Sequence, residues 1–144
     1  MIAVDTNILV HAHRRDSTWH SAALDAIRRL SEGNSAWALP WPCVHEFLAI
    51  VTHPKIYAPP STMTQATAQI DAWLESPGVV LLTEGEAHWQ TLRSTLLAAR
   101  LKGPQVHDAR VAAICLQHGV RELWTADRDF SRIAGLKVQN PLRA

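Results

Sequence analysis

Short apolar runs alternate with longer amphipathic stretches along the chain, and that alternation predicts most of its architecture. Ile2 to Val4 is a brief apolar run that ends in Asp5 and reads as a strand. A short helical stretch follows to about His13, then a polar turn at Arg14-Arg15-Asp16. Ser17 stands where a helix cap would, ahead of Trp19, Ala23, Ala26, Ile27 and Leu30 at helical spacing. Glu32-Gly33-Asn34-Ser35 stops that helix, and Ala36 to Leu39 predicts a second strand. Pro40-Trp41-Pro42 opens a third helix, whose apolar residues Val44, Phe47, Leu48 and Val51 fall at i, i+3, i+4 and i+7.

The same pattern runs through the second half. His53 to Ser61 carries Pro54, Pro59 and Pro60 and is a loop. Thr62 to Glu75 predicts a helix stopped by Ser76-Pro77-Gly78, and Val79 to Leu82 a third strand. Glu84 to Leu101 is helical until Lys102-Gly103-Pro104 breaks it. Gln105 to His118 is the next helix, with Gly119 at the C′ position that closes many helices. Leu123-Trp124-Thr125 is a fourth strand, Ala126-Asp127-Arg128-Asp129 a turn, and Lys137 to Gln139 a candidate edge strand. Strands separated by helices require crossover connections, which implies an α/β domain with a mostly parallel sheet. No repeat, low-complexity stretch or linker interrupts the pattern, so residues 1–144 read as a single domain.

Composition narrows the picture little. A chain of 144 residues can bury a real core, and 47% hydrophobic with 19% charged residues is ordinary for a folded protein. A net charge of +1 is too small to signal nucleic acid by bulk charge. The 14 basic residues include only Lys55, Lys102 and Lys137 as lysines, and the Arg bias leans towards bidentate phosphate contacts or a protein interface. Cys43 and Cys115 lie in apolar helical patterns and read as buried thiols of a reducing compartment. No apolar run approaches membrane-spanning length and no secretory leader pattern is visible, so a cytoplasmic protein with no membrane partner is expected.

The acidic residues change the picture more. Asp16, Asp25, Glu32, Asp71, Glu75, Glu84, Glu86 and Glu122 fall on plausible solvated faces. Asp5, Glu46, Asp108, Asp127 and Asp129 do not dismiss so easily. Singly, each has an ordinary role: Asp5 as a helix cap, Asp108 in a favourable first turn, Asp127 and Asp129 in a turn where Asp129 could cap a short helix. Glu46 lies in Cys43 to Val51, where its helical neighbours Cys43, Phe47, Ala49 and Ile50 are apolar. A carboxylate so enclosed is costly unless paired, protonated or bound to a cation.

Jointly the acids point elsewhere. Asp5 and Asp127 each follow a short strand, while Glu46 and Asp108 sit in helices that must pack on the sheet. If the two strands are adjacent, the acids converge at one edge. Carboxylates sharing a pocket repel, and hard divalent cations such as Mg²⁺ or Mn²⁺ resolve the repulsion. Such sites hydrolyse phosphoesters. Other chemistries lack their residues. His45-Glu46 begins like a zincin motif, but position 49 is Ala, and no phosphate loop, dinucleotide fingerprint or nucleophile elbow occurs. Trp19, Trp73 and Trp89 are expected to pack rather than stack on bases.

Asp5-Thr6-Asn7, Glu46, His107-Asp108-Ala109 and Thr125-Ala126-Asp127-Arg128-Asp129-Phe130, in this order and spacing, resemble PIN-domain ribonucleases over nearly the whole chain. They look most like the VapC-type toxins of bacterial toxin–antitoxin pairs. The resemblance implies a three-layer α/β/α sandwich, Mg²⁺-dependent (or Mn²⁺-dependent) endonucleolytic cleavage of RNA, a homodimer, and inhibition by a cognate antitoxin. Position by position, Asp5, Glu46, Asp108 and Asp127 match the family's acidic quartet, and Asp129 an additional acid. Asn7 and Thr125 match small polar positions that orient the acids. Asp127 ranks ahead of Asp129 as the fourth ligand because it is nearer the strand end. Arg128, Arg110 and His107 are candidates for contact with the scissile phosphate, surface ion pairing being their other reading. Two rivals stand beside this one. A metal-dependent small-molecule phosphatase would need an acid where Asn7 stands, and a non-catalytic PIN-like binding module would gain nothing from the full acid set.

Overall fold

The computed structural model describes residues 1–143, and its centre is a sheet of five strands. These are β1 (Ile2–Val4), β2 (Trp37–Pro40), β3 (Val79–Leu82), β4 (Glu122–Trp124) and β5 (Lys137–Gln139), in the order β3-β2-β1-β4-β5. Every neighbouring pair is parallel, so the sheet is wholly rather than mostly parallel. The chain builds outward from β1 to β3, then crosses back over β1 to lay down β4. That reversal opens a crevice beyond the carboxyl ends of β1 and β4, the place where open α/β sheets take ligands. The register pairs Val4 with Trp124, so Asp5 and Thr125 leave the sheet at the same level.

Six α-helices cover the sheet: α1 (Thr6–His13), α2 (His20–Ser31), α3 (Trp41–Val51), α4 (Met63–Leu74), α5 (His88–Ala99) and α6 (Gln105–Gln117). α1 packs against both α2 and α3, α3 packs against α4, and α5 packs on α6. Right-handed crossovers put the first group on one face and the second on the other, which gives three layers. Coverage of both faces explains β2, where Trp37, Ala38, Leu39 and Pro40 are all buried. None of the helices is long and apolar enough to cross a membrane.

Phe47 shows how the helical layer is locked. It is fully buried, with its ring edge-to-face against Trp73 at 5.2 Å and His13 at 5.3 Å, so it joins α1, α3 and α4. Phe47→Ala is expected to cost about 3–5 kcal/mol by opening a cavity there. Urea titration should show a lower midpoint with an unchanged slope, and a loss under ~1 kcal/mol would mean that the three helices do not depend on this ring.

Several boundaries differ from the sequence pattern, each for a local reason. α2 starts at His20 rather than Ser17, because the Ser17 hydroxyl accepts from the Trp19 N–H at 3.1 Å and pairs with His11 Nδ1 at 2.6 Å. It closes a turn that ties α2 to α1 instead of capping a helix. α5 starts at His88 rather than Glu84, since 83–87 runs against the end of α6. A Cβ on Gly85 would lie 2.2 Å from Gln117 Nε2, and His118 Nε2 meets the Thr83 carbonyl at 2.8 Å. The turn after β4 contains a 3-10 helix, Arg128–Arg132, capped by Asp127 rather than Asp129: Asp127 Oδ1 accepts from the Asp129 N–H at 2.9 Å. Trp73 is buried as expected, but Trp19 and Trp89 are 43% and 64% exposed. Both stand at helix entries, outside the apolar stripe.

Candidate metal centre

Asp5 is the best-held acid. It ends β1, is only 7% exposed, and caps α1 by accepting the Thr6 N–H on Oδ1 at 2.8 Å. The cap role and the site role coexist because the second oxygen is free for other partners. Oδ2 accepts from the Thr125 hydroxyl at 2.8 Å and from Asn7 Nδ2 at 3.1 Å. Asn7 also donates to Thr125 Oγ1 at 3.0 Å and accepts the Ala126 N–H at 2.9 Å, and Thr125 Oγ1 accepts the Asp127 N–H at 3.0 Å. Asn7 and Thr125 therefore sew the start of α1 to the segment that carries Asp127. Burial pushes the Asp5 carboxyl above its ordinary value. Bonds from Thr125, Thr6 and Cys43 oppose that rise, and the charge of Asp127 adds to it.

Cys43 was not singled out from the sequence as part of this site. Its thiol, in the first turn of α3, lies 3.5 Å from Asp5 Oδ1. Finding it requires knowing that β2 runs beside β1, which no local pattern reveals. Burial pushes this thiol well up, and the buried Cys115 thiol up to about 12, so both stay protonated and neither is a nucleophile.

Asp108, Asp127 and Asp129 form the tight cluster, with one carboxylate oxygen from each lying within 4.8 Å of the other two. Asp108 enters from the first turn of α6, and the other two come from the turn after β4. The Asp108 carboxyl is pushed up to about 7, first by burial, then by the charges of Asp127 and Asp5, a hydrogen bond with Asp127, and the charge of Asp129. No Lys or Arg relieves this repulsion: the ion pairs among the described residues are Arg14–Asp16, Arg29–Asp25, Arg110–Glu84 and Lys137–Glu122. Hard oxygen donors with no internal cation fit a divalent metal ion. Asp127 and Asp129 both belong to the cluster, and Asp127 is the less exposed of the two.

Glu46 departs from its expected enclosure. Cys43 and Phe47 turn the apolar face of α3 inward and leave Glu46 exposed on the rim. Partial burial and the charge of Asp5 still raise its carboxyl, while His107 beside it pulls the other way. Glu46 thus faces Asp5 without joining the three-carboxylate cluster. Of the phosphate-contact candidates, His107 is exposed near Glu46, and Arg128 is exposed with no ion pair among the described residues. Arg110 pairs with Glu84 across from α6 to the loop after β3. A cavity of about 840 Å³ between α1, α2 and α4 contains none of these acids. The acids occupy the open crevice at the strand ends.

Known proteins share this fold and much of this sequence. The PIN domain family matches residues 2–136. The VapC ribonuclease Mb2897 of Mycobacterium bovis is 32% identical over 142 residues, 99% of this chain and 96% of that protein. The crystal structure of Mycobacterium tuberculosis VapC20, described as a sarcin-ricin loop cleaving toxin, matches with a TM-score of 0.70 at 16% identity, covering 96% of this chain and 98% of that one. VapBC2 from Rickettsia felis, bound to a DNA fragment from its promoter, matches with a TM-score of 0.68 at 19% identity, over 97% of this chain and 98% of that one.

Proposed function

Because the chain belongs to the PIN-domain family, we propose that it is an endoribonuclease that hydrolyses RNA phosphodiester bonds with Mg²⁺ (or Mn²⁺), as the toxin of a toxin–antitoxin pair. The observation that carries this reading is the cluster of Asp108, Asp127 and Asp129 beside the buried Asp5, with no Lys or Arg paired to it among the described residues. Asp5, Asp108 and Asp127 would hold the ion, Asp129 offers a further oxygen, and Glu46 faces it from the rim. Such an ion, when bound, lowers the pKa of water and stabilises charge on phosphoryl oxygens.

The chain's own groups do the rest. Thr6, Asn7, Thr125 and Cys43 fix the Asp5 carboxylate in one orientation, so its lone pairs are aimed before anything binds. With its carboxyl pushed up to about 7, Asp108 is only partly ionised at neutral pH, and any proton it holds must leave for it to act as a ligand. His107 and Arg128 stand on the rim where the phosphate backbone would run, with Glu46 of α3 beside His107 of α6. Attack of water on the phosphorus with departure of the 3′ oxygen would leave a 3′ hydroxyl and a 5′ phosphate. The phosphatase reading loses ground because Asn7 spends its side chain bracing Asp5 and Thr125. The binding-module reading fails to account for uncompensated acids at a switch point.

Residues 1–144 act, in this reading, as one nuclease domain in the cytoplasm, paired as a homodimer and silenced by an antitoxin protein. The description of VapC20 as a toxin and the VapBC2 structure support the toxin role and the antitoxin partner. The test is cleavage of total RNA by the purified protein. Mg²⁺ should give fragments with 5′ phosphate ends, EDTA should stop the reaction, and Mn²⁺ should restore it. Hydrolysis of p-nitrophenyl phosphate with RNA left intact would sink the proposal in favour of the phosphatase.

A further inference from the structure

α2 packs on α1 and α4 on α3, and between α2 and α4 a trough of about 840 Å³ stays open beside the end of α1. His20, Leu24 and Arg28 line it from one face of α2 at i, i+4 and i+8, a run of about 12 Å. Its wall spends its own acceptors. Both oxygens of Asp16 accept from Arg14, at 2.9 Å and 2.6 Å. Gln65 Oε1 accepts the Thr62 N–H at 2.9 Å, Gln69 Oε1 accepts from His13 Nδ1 at 3.1 Å, and Ser61 Oγ accepts from Arg14 at 3.2 Å. His20 keeps only Nε2, because its Nδ1 donates to the His11 carbonyl at 3.0 Å. Donors are what remain. The amide nitrogens of Gln65 and Gln69 are left over, and so are the guanidinium groups of Arg15 and Arg28, which make no ion pair among the described residues.

We propose that this trough is a second phosphate-binding site, which holds the sugar-phosphate backbone of the RNA strand away from the cleaved bond. This rests on the ribonuclease reading and extends the substrate beyond the phosphate that the acids and their ion would engage. A wall with free donors and occupied acceptors fits a ligand that only accepts, as phosphodiester oxygens do, and guanidinium groups match phosphate in bidentate fashion. Charge points the same way. Three arginines line the trough against one aspartate, and Arg14 already neutralises that aspartate, in a chain whose net charge is only +1. The acids of the metal centre repel every phosphate that the ion does not neutralise, so affinity for a longer strand has to come from cations elsewhere. Asp5 caps α1 and His13 ends it, which puts the near side of the trough about 12 Å from Asp5 along one short helix. With Arg15 ahead of α2 and Arg28 in its last turn, the cations are spread out, an arrangement for successive phosphates rather than a single ion.

The experiment measures binding of a dinucleotide and of a single-stranded RNA of about ten nucleotides, in EDTA and across a salt series. The proteins are wild type, Arg15→Gln, Arg28→Gln and the double variant. Arg29→Gln, next along α2 but paired with Asp25 and outside the trough, controls for loss of charge alone. Each phosphate contact to a single strand contributes about −0.7 to the slope of log K against log[salt]. Each single variant should therefore flatten the slope for the longer RNA by about 0.7, and the double variant by about 1.4. The affinity gained from the dinucleotide to the longer strand should shrink in the same order, with Arg29→Gln at the wild-type slope and every variant at the wild-type melting temperature. A wild-type slope in the double variant, or equal flattening in Arg29→Gln, would overturn the site while leaving the nuclease intact. Unchanged RNA slopes with loss of inorganic phosphate binding in the double variant would reassign the trough to a free phosphate. Unchanged slopes with loss of antitoxin binding would reassign it to an acidic peptide. A protein that neither cuts RNA with Mg²⁺ nor binds it at either length would overturn both readings.

Discussion

Asp5→Asn is expected to lower RNA cleavage on the order of 10³-fold or more, because a ligand that neutralises and positions the ion contributes several kcal/mol to the transition state. The substitution is nearly isosteric, but the surroundings were built for a carboxylate. Thr6 N–H and the Cys43 thiol point at one oxygen, Thr125 and Asn7 at the other. An amide nitrogen in place of Oδ2 would confront the Asn7 amide and the Thr125 hydroxyl with a third donor. Thr125 Oγ1 already accepts from Asn7 and from the Asp127 N–H, so it cannot simply turn round. One mismatched buried donor costs about 1–3 kcal/mol, which lowers stability without unfolding a domain of ordinary strength. The measurement pairs cleavage rate with circular dichroism and a urea titration. A folded Asp5→Asn protein that cleaves at more than about a tenth of the wild-type rate would remove Asp5 from the centre.

The order of elements and the parallel sheet were readable from the sequence because both depend on coarse hydrophobic alternation, which local errors do not disturb. Helix starts were less readable. Ser17 has the chemistry of a cap, yet its hydroxyl serves a turn against His11, and nothing within the segment distinguishes the two uses. Glu84 and its neighbours have helical composition, but contact with the end of α6 keeps them in a loop ahead of the helix. Four of the acids, Asp5, Asp108, Asp127 and Asp129, could be placed together because each sits at an element end, and element ends in parallel sheets meet at the switch point.

Glu46 illustrates what periodicity cannot settle. Its neighbours are apolar, and the sequence alone makes it look enclosed. The angle at which α3 lies on the sheet decides otherwise, turning Cys43 and Phe47 inward and Glu46 outward. Cys43 was unreadable for the opposite reason, since its partner Asp5 is 38 positions away and is reached only through strand pairing. The acid that faces water and the thiol that faces the acid are both products of tertiary geometry.

Asp108→Asn should abolish cleavage and yet stabilise the metal-free protein, a reversal that separates the site's function from its folding cost. In the folded chain the Asp108 carboxyl is pushed up to about 7 from 3.8, so the native state holds this proton more tightly than the unfolded state does. The stability tied to that proton is fully present below 3.8 and is lost as pH rises through about 7, where the ionised carboxylate meets Asp127, Asp5 and Asp129. Asparagine keeps the shape, never ionises, and escapes the loss. Without metal, the variant's melting temperature should therefore exceed that of wild type by a few degrees at pH 8, with the gap closing towards pH 5. Adding Mg²⁺ should invert the order, because wild type gains stability as RT ln(1 + [L]/Kd), about 2.7 kcal/mol at a hundredfold excess over Kd, and the variant gains far less. Melting curves at the two pH values, each with EDTA or Mg²⁺, decide the matter. A metal-free variant less stable than wild type at pH 8, or one stabilised by Mg²⁺ as strongly as wild type, would show that Asp108 is neither strained by its neighbours nor a ligand.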